Sequence, residues 1–195
     1  MKRDRVNGEM ITSKKIKVIL DWSVFHKQYS GGLIGNLLSR EESIVDCDGA
    51  IIVEQGTGNH KQYSLVNLET PTAFNAAIVY GGDNIHRNVN NEFFTIDMDR
   101  IPADIQRLVF TLDIFKNTSV PNVFGKLELI SIRVLNDETG KELCRYDSGI
   151  TSSSKVRAFS VGALNRTENG WLFTPEESGF KAMSYEMLLD EFVQR

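Results

Sequence analysis

The stretch LELISIRVLNDETGKELCRY, residues 127–146, decides the fold. Its first half alternates, so Leu127, Leu129, Ser131, Arg133 and Leu135 fall on one face of an extended chain. The segment NDETGKE (136–142) then places Gly140 where a hairpin needs positive φ. Lys141–Tyr146 reads as the returning strand. Two antiparallel strands joined by a short turn are the repeating unit to seek elsewhere.

Working outward, the same grammar recurs. Lys15–Leu20 alternates, Gly49–Val53 and Ala76–Tyr80 are short apolar runs, and Gln62–Val66 is a weaker strand. Glu92–Asp97 and Arg107–Phe115 are aromatic and β-branched, and Lys155–Leu164 and Trp171–Thr174 lie either side of NRTENGW (165–171). Within that turn Asn169-Gly170 is a strong hairpin signal. Roughly nine or ten evenly spaced strands predict an all-β, two-sheet antiparallel β-sandwich rather than an α/β fold. Two helices are expected. One is a short segment at 33–38 (LIGNLL), inside a long connection from Ser23 to Ser43. The other is C-terminal, Tyr185–Gln194, with Ser184 as N-cap and Leu188, Leu189 and Phe192 as its packing stripe. The division expected is a flexible basic arm at 1–14 and one sandwich domain at 15–195, with Trp22 and Trp171 in its core or at its end.

With 195 residues, 41% hydrophobic and 25% charged, the chain suits one sizeable globular core. A formal charge of −4 argues against sequence-independent binding to DNA, which needs a basic face. No apolar run nears the roughly 18–20 residues of a membrane span, and the basic start lacks a signal-peptide apolar region. Two cysteines, Cys47 and Cys144, are too few for a disulfide framework, so a cytoplasmic protein with reduced thiols is expected.

Polar chemistry gathers in two places. VDCDGAIIV (45–53) sets Asp46 and Asp48 two apart at the mouth of an apolar strand, with Cys47 on the opposite face. A metal site, a reactive cysteine and a solvated strand end all fit that pattern. Acidic neighbours raise a thiol pKa, which argues against the nucleophile. GGDNIHRNVNNE (81–92) carries Asp83, Asn84, Asn88, Asn90, Asn91 and Glu92 between two strands, with Gly81-Gly82 allowing a sharp turn. Calcium takes six to eight such oxygens, although Asp, Asn and Gly are also ordinary turn residues. His26, His60 and His86 stand apart and have no zinc-ligand spacing. No Ser-His-Asp set, phosphate-binding loop or dinucleotide fingerprint is legible, so an enzyme is not expected.

These motifs together resemble the TerD family of tellurium-resistance and general-stress proteins, and its TerZ-like members in particular. VILDWS (18–23), the Gly-rich SGGLIGNLLSREES (30–43), VDCDGAIIV and GGDN (81–84) occur in family order. NNEFFTIDMDRIPADIQRLVFTLDIF (90–115), IRVLNDETGKELCRYD (132–147) and GWLFTPEESGF (170–180) follow. The resemblance implies a non-enzymatic sandwich that holds Ca2+ in acidic loops at one end. It also implies partners among other stress-operon proteins, some of them membrane-associated. Carried over, the family's aspartate pair falls on Asp46 and Asp48, its G-D-N on Asp83 and Asn84, and its acidic triplet on Asn90, Asn91 and Glu92. Backbone carbonyls near Ile85 and Asn88 are further candidates.

The departures have a direction. An acid expected before the aspartate pair is Ile44, the triplet reads N-N-E, and the loop IHRNV is short and glycine-free. Amide oxygens coordinate but do not neutralise a dication, so affinity should fall, on the order of 10²–10⁴. The alternative is a metal-free family member that acts as an interaction or scaffolding module, docking through Leu33, Ile34, Leu37 and Leu38.

Overall fold

A computed structural model describes residues 8–24, 46–83, 90–115, 127–148 and 156–195. In chain order the strands are β1 (Glu9–Ile11), β2 (Lys15–Val24), β3 (Asp48–Gln55), β4 (Gln62–Val66), β5 (Thr72–Ala73) and β6 (Ile78–Asp83). They continue with β7 (Asn91–Asp97), β8 (Ile105–Asp113), β9 (Leu127–Asn136), β10 (Glu142–Ser148), β11 (Ala158–Thr167) and β12 (Gly170–Phe180). Among the described residues one α-helix, α1 (Tyr185–Val193), follows β12. The strands form two antiparallel sheets, ordered β1-β12-β11-β8-β3-β4 (sheet A) and β10-β9-β2-β7-β6-β5 (sheet B).

The sequence patterns follow from what covers each face. Sheet B packs one face inward through Ile16, Val18 and Leu20 of β2 and Ile130, Ile132 and Val134 of β9. Its other face is not covered by α1, which explains the alternation along β9. The residues Leu129, Ser131, Arg133 and Leu135 form that outer, half-buried face, apart from the well-buried Ser131. Sheet A is buried on both sides. Ile51, Phe110 and Phe173 enter the core between the sheets, whereas Ile52, Val109, Ala163 and Phe180 pack under Leu188 of α1. Two-sided burial is why GAIIV reads as an unbroken apolar run. Trp22 and Trp171 both join the inter-sheet core.

The hairpins and the helix form where expected, with shifts. Asn136 Oδ1 accepts from the Glu138 and Thr139 amides, tightening the β9–β10 turn. The β11–β12 turn centres on Glu168-Asn169, because Thr167 pairs with Gly170. The Ser184 hydroxyl accepts from the Met187 amide at 3.3 Å, capping α1.

Three expectations are corrected. Residues 9–11 are not a loose arm, since β1 pairs with Trp171–Phe173 of β12. The strand expected from Ala76 starts at Ile78, because Phe74, Asn75 and Ala76 hold φ of 53°, 53° and 62°. Gly81-Gly82 do not end β6. Gly82 takes φ 81° at a bulge, and the strand runs on to Asp83. The helix expected at 33–38 lies outside the described residues.

Candidate metal site at one end of the sandwich

Strand direction brings the acidic segments to one end. β3 and β7 start there, and β2, β6 and β8 finish there, as shown by the pairs Asp48↔Asp113, Asp21↔Asn91 and Asp83↔Glu92. The strand ends that bound the two predicted segments are therefore neighbours at a single rim.

Asp46 and Asp48 have different surroundings. Asp46 precedes β3 and is exposed, whereas Asp48, the first residue of β3, is only 6% exposed. Asp48 is the cross-strand partner of Asp113, which is fully buried. Directly opposed side chains lie roughly 5 Å apart at Cβ. Because Ile52 and Val109 face α1, alternation turns Asp48 and Asp113 to that side as well. Asp113 Oδ1 accepts from the Phe115 amide at 3.1 Å. Tyr185, at the start of α1, stacks edge-on against Phe115. Burial, then the charges of Asp113 and Asp48, push its phenol well above the ordinary tyrosine range.

Cys47 is fully buried in the inter-sheet core. Burial raises its thiol well above the usual value, and Asp113, Asp46, Glu92 and Asp48 add to the rise. A buried thiol ringed by carboxylates is no nucleophile.

Glu92 is fully buried and points between the sheets. Its Oε1 accepts from the Tyr80 hydroxyl at 2.7 Å, and its Oε2 accepts from the Gly49 amide. A Cβ on residue 49 would sit 2.7 Å from Oε2, so glycine is what lets the carboxylate close on β3. Glu92 thus ties sheet B to the first turn of β3 in sheet A.

The N-N-E triplet is divided by the pleat. Asn91 lies on the opposite face of β7 from Glu92, beside Asp21 of β2. Its Oδ1 is buried with no hydrogen-bond partner among the described residues. Asn90 contributes its backbone carbonyl to the Trp22 amide at 3.0 Å. Asp83 ends β6, while Asn84, Ile85 and Asn88 lie outside the described residues. Among the described residues, no three His, Cys, Asp or Glu side chains converge as metal ligands do. The acidic side chains at this rim are carboxylates, hard oxygen donors, with the buried Cys47 thiol among them.

Sequence reading missed Asp113 and Tyr185. An aspartate closing the otherwise apolar run VFTLD was the available signal for the first. Nothing local marked the second, which reaches the rim only because α1 packs across sheet A.

Comparison with known proteins places this geometry. A model of the TerD domain matches residues 5–192. The chain is 29% identical over 157 residues to the tellurium resistance protein TerZ of Serratia marcescens, covering 80% of this chain and 75% of that protein. It is 28% identical over 109 residues to general stress protein 16U of Bacillus subtilis, covering 55% and 56% respectively. The crystal structure of a homologue of the telluride resistance protein TerD from Streptomyces coelicolor superposes with a TM-score of 0.59 at 16% identity, covering 87% of this chain and 92% of that one. With the family match running nearly end to end, the chain belongs to the TerD domain family of tellurium-resistance and general-stress proteins.

Proposed function

We propose that this protein is a non-enzymatic, calcium-linked stress protein whose ion binds at the acidic rim of the sandwich and governs association with partners. The observation that carries the reading is the buried Asp48–Asp113 pair, directly opposed across β3 and β8. Like charges facing one another across a sheet are unfavourable, and a shared dication reverses the sign of that interaction. Asp46, Asp48, Asp83 and Asp113 would supply anionic oxygens. Asn84 and the carbonyls near Ile85 and Asn88 would add neutral ones, and Glu92 would brace the start of β3 rather than coordinate. Asp113 restores a charge that the change to Asn90 and Asn91 removes.

Thermal melts of EGTA-treated protein at rising calcium test this. A ligand that binds only the native state adds about 2.7 kcal/mol at a hundred times its Kd. That is a shift of roughly 5–11 °C for a chain of this size. The same series on Asp48→Asn should show a much smaller calcium-dependent shift, in line with binding weakened at least tenfold. Identical curves with and without calcium at millimolar concentration would end the proposal.

One observation favours a second reading. Glu92 spends its oxygens on Tyr80 and Gly49, and Asn91 faces away from Asp48. A member that has lost its metal would keep Glu92 as an inter-sheet clamp and act as an interaction module. Its docking element would be Leu33, Ile34, Leu37 and Leu38, which lie outside the described residues.

A further inference from the structure

The outer face of sheet B carries a different kind of site, on the far side of that sheet from the buried carboxylates. Register sets Arg133 of β9 directly opposite Arg145 of β10. Like charges in directly opposed positions destabilise a strand pair unless anions separate them. Arg133 donates from Nε and Nη2 to Asp21 at 2.7 and 3.0 Å. Arg145 donates from Nε to Asp147 at 2.8 Å. A guanidinium has five N–H donors in a planar fork. Nη1 of Arg133 and both terminal nitrogens of Arg145 therefore lie outside these carboxylate bonds.

Both arginines line one pocket of about 260 Å³, together with Asp21, Ser23, Leu129 and Ser131, and it is bordered by Trp22, which belongs to the inter-sheet core. That volume lies just below the roughly 300 Å³ at which sites for drug-sized ligands begin. Its free donors are Nη1 of Arg133, the two terminal nitrogens of Arg145 and two hydroxyls, beside the apolar Leu129. Ser131 is only 2% exposed and forms part of the floor. Asp21 and Asp147 oppose an incoming anion, but they also hold the forks in place, which lowers the ordering cost of binding.

We propose that this pocket binds a small divalent oxyanion of the phosphate class, held between the Arg133 and Arg145 guanidiniums with Ser23 and Ser131 as further donors. The free terminal fork of Arg145 matches an oxyanion edge better than an ammonium would, and Arg133 adds its remaining Nη1. Because each arginine already has a carboxylate neighbour, binding falls in the millimolar range. The proposal is independent of calcium at the rim.

The test is calorimetric titration of calcium-free protein with inorganic phosphate, against chloride at matched ionic strength. One saturable site is expected, weakened about tenfold or more in Arg145→Gln and severalfold in Arg133→Lys, which keeps charge but loses the fork. Arg145 is 46% exposed on an edge strand, and its melting temperature in chloride should change little. Absence of saturation, or equal affinity in wild type and Arg145→Gln, overturns the proposal. Should that variant fail to fold, backbone amide shifts in wild-type protein decide. Phosphate-dependent shifts confined to Ser131, Arg133 and Arg145 support the site, and scattered or absent shifts refute it.

Discussion

Replacing Glu92 tests the structural core of the rim. The carboxylate is fully buried and accepts from the Tyr80 hydroxyl and the Gly49 amide, one partner in each sheet. Leaving a buried donor without its partner costs about 1–3 kcal/mol. Glu92→Ala removes both and strands two buried donors, so a loss of about 3–5 kcal/mol is expected. Against a typical total of about 5–15 kcal/mol this is a large fraction. For a chain of this length it corresponds to roughly 6–20 °C in melting temperature. Glu92→Gln keeps the shape and one acceptor oxygen. Because the tyrosine hydroxyl can turn to accept from the new amide, the loss should be about 1–2 kcal/mol. Urea denaturation in EGTA separates this effect from any metal. If Glu92→Ala melted within 2 °C of wild type without calcium, the clamp would be wrong and the residue would have to be explained by its ligand alone.

Other consequences can be read from single variants. Arg166 donates to the carbonyls of Ile105, Pro102 and Ile101 at 2.6, 2.8 and 3.3 Å and lies over the Trp171 ring. Arg166→Ala should therefore lose about 2–3 kcal/mol in urea unfolding, with Lys recovering under half of it. Ala76 sits exposed at φ 62°, so Ala76→Gly should raise stability by about 1 kcal/mol, and a fall would mean the left-handed turn is not strained. Burial, helped by the charges of Glu9 and Glu142, pushes the Cys144 thiol up to about 12. From about 8.5 up to that value the unfolded chain has released this proton while the native chain keeps it, so stability should fall as pH climbs. Cys144→Ala should flatten that fall, and native labelling at pH 8 should be slow and should accelerate only with unfolding.

Most of the sandwich was legible because strand signals are local. Alternation in LELISIRVL, the positive-φ glycine at Gly140 and the Ser184 cap each depend on a few neighbouring residues. What stayed hidden depends on long-range pairing. β1 exists only because β12 offers an edge to Glu9–Ile11. The left-handed run at Phe74–Ala76 lacks glycine, and so lacked the usual marker.

The site divides in the same way. The two acidic segments were visible, and strand direction does bring them to one rim. Pleat parity then sorted them. Asn91 turned outward and Glu92 inward as a clamp; Asp46 shares the parity of Asp48 but precedes β3 and is exposed, whereas Asp48 is buried. The partner that gives Asp48 its meaning, Asp113, lies 65 residues away and is fixed only by β3–β8 register.

The most direct measurement is calorimetric titration of metal-stripped protein with calcium, repeated on Asp48→Asn and Asp113→Asn. Saturable binding that both substitutions weaken at least tenfold, each variant still folding in EGTA, is the predicted result. No heat at millimolar calcium, or binding indifferent to both aspartates, would contradict a calcium site at this rim and leave Glu92 and its neighbours with a structural role only.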